Sequence, residues 1–323
     1  MKRVVSVSLG SSKRDHRVET VILDEPFVIE RIGTDGDMAR FAALVRELDG
    51  QVDAIGMGGI DLDLRAGNRR YRIRDAARLI RDIRRTPVVD GGGIKASWEK
   101  HLILEYLPQT AGISFAGRRV LLVSSVDRYG MAEAFTQAGA VTLFGDFYFA
   151  LGVPIPMRRL VTVRILAACL LPVITRLPFQ WLYPTGEKQE RVTPKYPKLF
   201  EWAEVVAGDF HFIRRYMPEN LSGKTILTQT ITVEDRDQLT RRGARRLITA
   251  APEMAGRSFA TNVLEGIVVA LAGRRTDTMT PQEIIGWLQR AGVRPRVETL
   301  TPDPPSGTGR RDAPAASGAG AAS

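Results

Sequence analysis

The sequence predicts an α/β protein in which a Rossmann-like, doubly wound parallel-sheet domain follows a smaller α/β domain. Strand-like apolar runs alternate with helix-like segments through the first third of the chain. A strand–helix–strand unit opened by glycine then occurs twice, at 117–144 and 223–249, and both copies close their helix on Gly-Ala (139–140 and 243–244). Such alternation builds parallel sheets with helices on their faces. Right-handed crossovers put the loops at the strand ends on one edge.

The first domain, 1–112, opens with strands near Val4–Leu9, Val18–Leu23 and Phe27–Ile32. Met38, Phe41, Ala42, Val45 and Leu48 then recur at helical spacing. Val52–Met57 reads as a strand ending at Gly58-Gly59-Ile60-Asp61, and Gly67-Asn68 joins two short strands in a hairpin. Asp75 is the expected N-cap of a helix, followed by a short strand 87–89 and a glycine-rich turn, Asp90-Gly91-Gly92-Gly93. A helix over 94–107 leads to the second domain, 113–300. That domain carries an inserted apolar or lid segment at 150–200, with the polar turn 183–190 as a lid or partner surface. Thr301–Ser323, rich in Pro, Gly, Ala and Ser, predicts a disordered tail.

A chain of 323 residues, 44% of them hydrophobic, has room for two buried cores. One cysteine excludes an internal disulfide framework and fits a reducing compartment. Cys169, inside an apolar run, predicts an inert thiol, and three scattered histidines supply no metal site. The amino terminus shows no apolar signal core, and charges and prolines interrupt 160–182 short of a membrane span. The expectation is a cytoplasmic protein without a transmembrane segment, with 160–182 as core or a homo-oligomer surface, and docking on a membrane surface as the alternative. The net charge of +10 is dispersed over arginine pairs without a nucleic-acid motif. It points to an anionic small-molecule ligand rather than nucleic acid.

The chemistry gathers at expected strand ends. Lys95, opening a helix after the glycine turn, is the candidate acid–base group, with Asp61 or Asp90 as its charge partner. Ser124-Ser125-Val126-Asp127-Arg128-Tyr129-Gly130 stands where a dinucleotide fingerprint would stand, with Gly130 its single glycine. Ser124, Ser125, Asp127, Gly130 and Asp146 are the candidate cofactor-binding residues, Asp146 gripping a ribose of NAD or NADP. Gly-Asp-Phe occurs at 145–147 and again at 208–210, so Asp146 and Asp209 are each a helix N-cap or a ligand contact. Asp209, Arg257, Ser258 and Asn262 are the candidate substrate-binding residues. The alternative makes Thr261 or Asn262 a helix cap.

Gly-Thr-Asp-Gly-Asp at 33–37, Val-Asp-Arg-Tyr-Gly-Met-Ala-Glu-Ala at 126–134, Gly-Asp-Phe-Tyr-Phe-Ala-Leu-Gly-Val-Pro-Ile-Pro at 145–156, Tyr-Pro-Thr-Gly-Glu-Lys-Gln-Glu at 183–190 and Gly-Arg-Ser-Phe-Ala-Thr-Asn at 256–262 together resemble a bacterial family labelled quinate 5-dehydrogenase. The resemblance spans the chain except its tail. It implies NAD(P)-linked oxidation of quinate to 3-dehydroquinate, with a substrate domain joined to a Rossmann domain. The Asn-Val-Thr-x-Pro-x-Lys segment and Gly-Ala-Gly-Gly cofactor turn of shikimate and quinate dehydrogenases are absent, so no catalytic residue carries over by matching. Three functions follow as expectations: a dehydrogenase acting on a small hydroxylated carboxylate, a non-catalytic binding or sensor protein, and a nicotinamide-independent transferase or lyase.

Overall fold

The computed structural model describes residues 1–67, 69–178, 192–251, 253–254 and 257–300. Its first half contains β1 (Lys2–Ser8), β2 (His16–Ile22), β3 (Glu25–Gly33), α1 (Met38–Leu48), β4 (Ala54–Gly58), β5 (Asp63–Ala66), β6 (Arg69–Arg72), α2 (Arg74–Leu79) and β7 (Val88–Val89). Five of these strands form a sheet in the order β2-β3-β1-β4-β7, parallel except for β2, while β5 and β6 pair as a separate hairpin. Ile73, not Asp75, takes the N-cap position of α2. Asp75 lies in the first turn, where its charge complements the helix dipole, and it pairs with Arg78 at 3.1 Å.

From β7 the chain enters α3 (Gly92–His101), continues through a π-helical turn at Leu102–Tyr106, and ends in α4 (Leu107–Ala111). Then come β8 (Arg119–Leu122), α5 (Tyr129–Gln137), β9 (Val141–Phe144), α6 (Asp146–Phe149), α7 (Leu160–Ile174), α8 (Pro197–Trp202), β10 (Val205–Ala207), α9 (Phe210–Tyr216), β11 (Thr225–Thr228), α10 (Val233–Arg241) and β12 (Arg246–Thr249). A short ladder, β13 (Glu253–Met254) with β14 (Arg257–Ser258), precedes α11 (Thr261–Ala272), α12 (Pro281–Arg290) and β15 (Arg296–Thr299). The second sheet runs β15-β12-β11-β10-β8-β9, with β15 the antiparallel edge. The chain leaves β8 towards β9 on one side and β10 on the other. The gap between β8 and β10 is therefore the topological switch point, where open α/β sheets bind ligands. The architecture is the expected one: α/β, with a doubly wound parallel sheet behind a smaller α/β unit.

The connection differs from the expected division at 112/113. Helix α11, which follows the second sheet in sequence, packs against β1 and β4 of the first. All ten residues from Thr261 to Ala270 are buried, and the polar Asn262 and Glu265 among them find internal partners in Ser6 and the Gly93 amide. Two glycines permit the approach: a Cβ on Gly266 would stand 2.7 Å from Val4 Cγ1, and one on Gly56 would stand 2.9 Å from Asn262 Nδ2. Helix α12 then packs on α3, and β15 returns the chain to the second sheet. One apolar core consequently joins residues of both halves, among them Val4, Phe27, Ile94, Val120, Phe135 and Val268. Trp98 of α3 pins this junction by donating its indole N–H to the Ala250 carbonyl at 2.7 Å.

Among the described residues no helix is long and apolar enough to cross a membrane. Cys169 is exposed on α7, although its apolar run predicted an inert thiol. The expectations for 183–190 and 301–323 lie outside the described residues.

Candidate functional site

The strand ends of both sheets converge on a cluster of charged side chains. Lys95, on the first turn of α3, holds Asp61 of the loop after β4 at 2.6 Å and Asp127 of the loop after β8 at 2.7 Å. One ammonium thus ties the first sheet to the second. Arg128, the next residue, is buried and spends its guanidinium on three carboxylates: Glu99 at 3.0 Å, Asp127 at 3.0 Å and Asp209 at 2.9 Å. The Gln229 side-chain amide donates to Glu99 from the end of β11. The second Glu99 carboxylate oxygen is buried without a hydrogen-bond partner among the described residues.

Burial and charge divide these groups by protonation. Burial alone would lower the Lys95 pKa, but Asp127 and Asp61 more than offset it, so the ammonium is held charged. For Asp127, burial is outweighed by Arg128 and Lys95, and the carboxylate is stabilised in its ionised form. Burial pushes Asp61 up to about 7, opposed by Lys95 and assisted by Asp127. Burial likewise pushes Glu99 up to about 7, against Arg128 and Lys95. Adjacent carboxylates of opposite tendency in a buried setting are characteristic of functional sites.

A carboxyl whose pKa rises on folding binds protons more tightly in the native state than in the unfolded chain. Its contribution is fully present below the unfolded value and is lost as pH rises through the folded one. Asp61 and Glu99, joined by Glu265, which burial and Asp90 push up to about 7, therefore favour the fold at mildly acidic pH. Stability should fall from about pH 5 to about pH 8, by up to about 1.4 kcal/mol per pH unit for each proton concerned. Denaturant midpoints across that window test this, and Glu99→Gln should flatten the slope.

Several candidate residues have other work. Asp90 does not pair with Lys95: its carboxylate accepts from the amides of Leu62 (2.8 Å), Asp63 (3.1 Å) and Gly92 (2.8 Å), bracing two loops. Asp146 is the first residue of α6 and not its N-cap, and its carboxylate is engaged by the loop after β8. It accepts from the Ser125 amide at 3.1 Å, the Val126 amide at 3.0 Å and the Ser125 hydroxyl. Those amides are the groups a pyrophosphate would use, and Asp146 occupies them. The Ser124 hydroxyl accepts from the Asp209 amide at 3.3 Å. Gly130 lies at a close helix contact, where a Cβ would stand 2.2 Å from the Lys95 carbonyl oxygen. Asn262 is buried and donates to the Ser6 hydroxyl at 2.7 Å, which locks α11 to the first sheet. Neither it nor Thr261 caps the helix; Ala260 takes that position. Asp209 is the N-cap of α9, accepting from the His211 amide at 2.8 Å, and it also holds Arg128. Arg257 and Ser258 form β14, and their side chains lie outside the described residues.

Glu99 and Gln229 escaped the sequence reading. Glu99 was accessible to it, because Lys95 and Glu99 are four residues apart and share one helix face. Gln229 follows a strand end, but nothing in the sequence sets it apart. Among the described residues, no group of three or more His, Cys, Asp or Glu side chains is placed to hold a metal ion. Two surface cavities, of about 420 and 320 Å³, are lined by none of the cluster residues.

A family model described as a domain of unknown function, DUF8754, matches residues 93–300, more than half of the chain. The chain belongs to that family. A second domain of unknown function, DUF8753, matches residues 3–90, so the boundary between the two matches falls in the glycine turn before Lys95. No curated protein matches the chain. Among solved structures, a galactofuranose binding protein is similar at 13% identity, covering 90% of this chain and 99% of its own, with a TM-score of 0.33. A periplasmic solute binding protein from Actinobacillus succinogenes with bound D-allose shares 12% identity over 92% and 97%, with a TM-score of 0.35. A D-isomer specific 2-hydroxyacid dehydrogenase from Lactobacillus delbrueckii ssp. bulgaricus in its NAD-complexed form shares 10% identity over 88% and 94%, with a TM-score of 0.26. Likenesses at this level carry no argument about function.

Proposed function

We propose that this chain is a small-molecule-binding protein whose ligand carries several hydroxyl groups and sits at the charged cluster between the two sheets. The observation that carries the reading is the Lys95 ammonium shared by Asp61 and Asp127, one carboxylate from each half. A hydroxyl donates one hydrogen bond and accepts others, so a carboxylate beside an ammonium or guanidinium satisfies it from both sides. Asp61–Lys95–Asp127 and Asp127–Arg128–Asp209 repeat that pairing. Ligand entry requires the halves to part, and the ligand hydroxyls then replace the direct ion pairs.

Four carboxylates (Asp61, Glu99, Asp127, Asp209) face two cations (Lys95, Arg128) in this cluster. That surplus of acceptors suits hydroxyl donors better than the anionic ligand expected from the net charge. The site also suits binding better than hydride transfer. A lysine acting as general base must release its proton near neutral pH, whereas both neighbouring carboxylates oppose that for Lys95. NAD or NADP would have to displace Asp146 from the Ser125 and Val126 amides.

Thermal unfolding with pentoses, hexoses, polyols, quinate, NAD and NADP tests the proposal. A hydroxyl-rich compound at a hundredfold excess over its Kd should stabilise the protein by about 2.7 kcal/mol. The response should disappear in Asp61→Asn and Lys95→Met. Stabilisation by NAD or NADP alone would overturn it.

A further inference from the structure

We propose that the exposed face of α7 seats the protein on an anionic membrane surface. The helix buries a narrow stripe, Val163, Ala167 and Leu171. Val161, Ile165, Cys169 and Val173, spaced four apart on the outer side, form an apolar ridge; Val161 is 54%, Ile165 59% and Val173 62% exposed. Leu151, Val153 and Ile155, just before the helix, are exposed as well. A helix that is apolar on nearly every side is ordinarily buried, and an uncovered patch of this kind marks a docking surface.

Charge decides the occupant. Between Asp146 and Glu187 the sequence contains four arginines (Arg158, Arg159, Arg164, Arg176) and no carboxylate. Arg159, Arg164 and Arg176 are exposed, and the β5–β6 hairpin, whose first strand packs against α7, adds exposed Arg69 and Arg70. A second copy of this face would set these cations against their own kind. Anionic lipid headgroups would neutralise them, each adding attraction beside the buried apolar ridge. Fifteen residues span about 22 Å, short of the ~30 Å hydrocarbon core, so the helix lies in the interface and does not cross it.

The single cysteine falls on the ridge and reports directly. With an environment-sensitive fluorophore on Cys169, emission should shift to the blue with vesicles of phosphatidylcholine and phosphatidylglycerol. Phosphatidylcholine alone should leave it unchanged. In co-sedimentation of the unlabelled protein, an Ile165→Glu/Val173→Glu variant should bind the mixed vesicles at least about tenfold more weakly, and salt should weaken the wild type. Circular dichroism and the thermal response to cleft ligands show whether the variant keeps its fold. No blue shift and no co-sedimentation would overturn the proposal. So would a concentration-dependent dimer, formed without lipid and abolished by the same variant.

Discussion

Replacing Arg128 with methionine is expected to cost the fold about 3–5 kcal/mol, the range for removing one partner from a buried ionic network. The guanidinium is buried and separates Glu99, Asp127 and Asp209, which without it would face one another across a desolvated space. Apolar volume does not replace that charge. Denaturant unfolding of the variant measures the loss. Adding Glu99→Gln and Asp209→Asn in the same background should recover part of it, because the penalty lies in the stranded carboxylates. A loss below about 1 kcal/mol, as for an exposed pair, would mean that water already solvates the cluster.

Gly130→Ala should be the second most damaging small change, at about 1–3 kcal/mol, the usual cost of forcing an extra carbon into a packed interior. The added Cβ would stand 2.2 Å from the Lys95 carbonyl oxygen, with backbone and not a yielding side chain opposite. Helix α5 must then move away from α3. That displacement pulls Asp127 and Arg128, immediately before α5, out of register with Lys95. The variant should therefore lose both stability and the thermal response to ligand, which separates it from substitutions that merely loosen the core.

Much of this architecture was legible because it is written in local periodicity. The strand-like runs at Val4–Leu9, Val18–Leu23 and Phe27–Ile32, the helical spacing of Phe41, Val45 and Leu48, and the twin units at 117–144 and 223–249 correspond to elements in the structure. That Lys95 would meet Asp61 or Asp90 was legible too, because all three follow strand ends that parallel topology brings to one edge, and Asp61 is the one it pairs with. What stayed hidden depends on which sheet a segment returns to. Helix α11 is buried on every side over Thr261–Ala270, so its apolar pattern does not show which sheet it packs on. Its seat on β1 and β4 is set by Gly56, Gly266 and the Asn262–Ser6 hydrogen bond. Asp146 and Gly130 occupy the positions a cofactor would need, and in the structure the Ser125 hydroxyl engages the first while the second packs against the Lys95 carbonyl. Position along the chain does not show whether such a residue has already been claimed by a neighbour.

Mass spectrometry of small molecules released from the natively purified protein, with Lys95→Met purified in parallel, tests the central claim most directly. The account predicts a hydroxyl-rich small molecule in the wild type, absent from Lys95→Met even where that variant remains folded. A nicotinamide dinucleotide in the wild type, or the same molecule retained equally by both proteins, would contradict it.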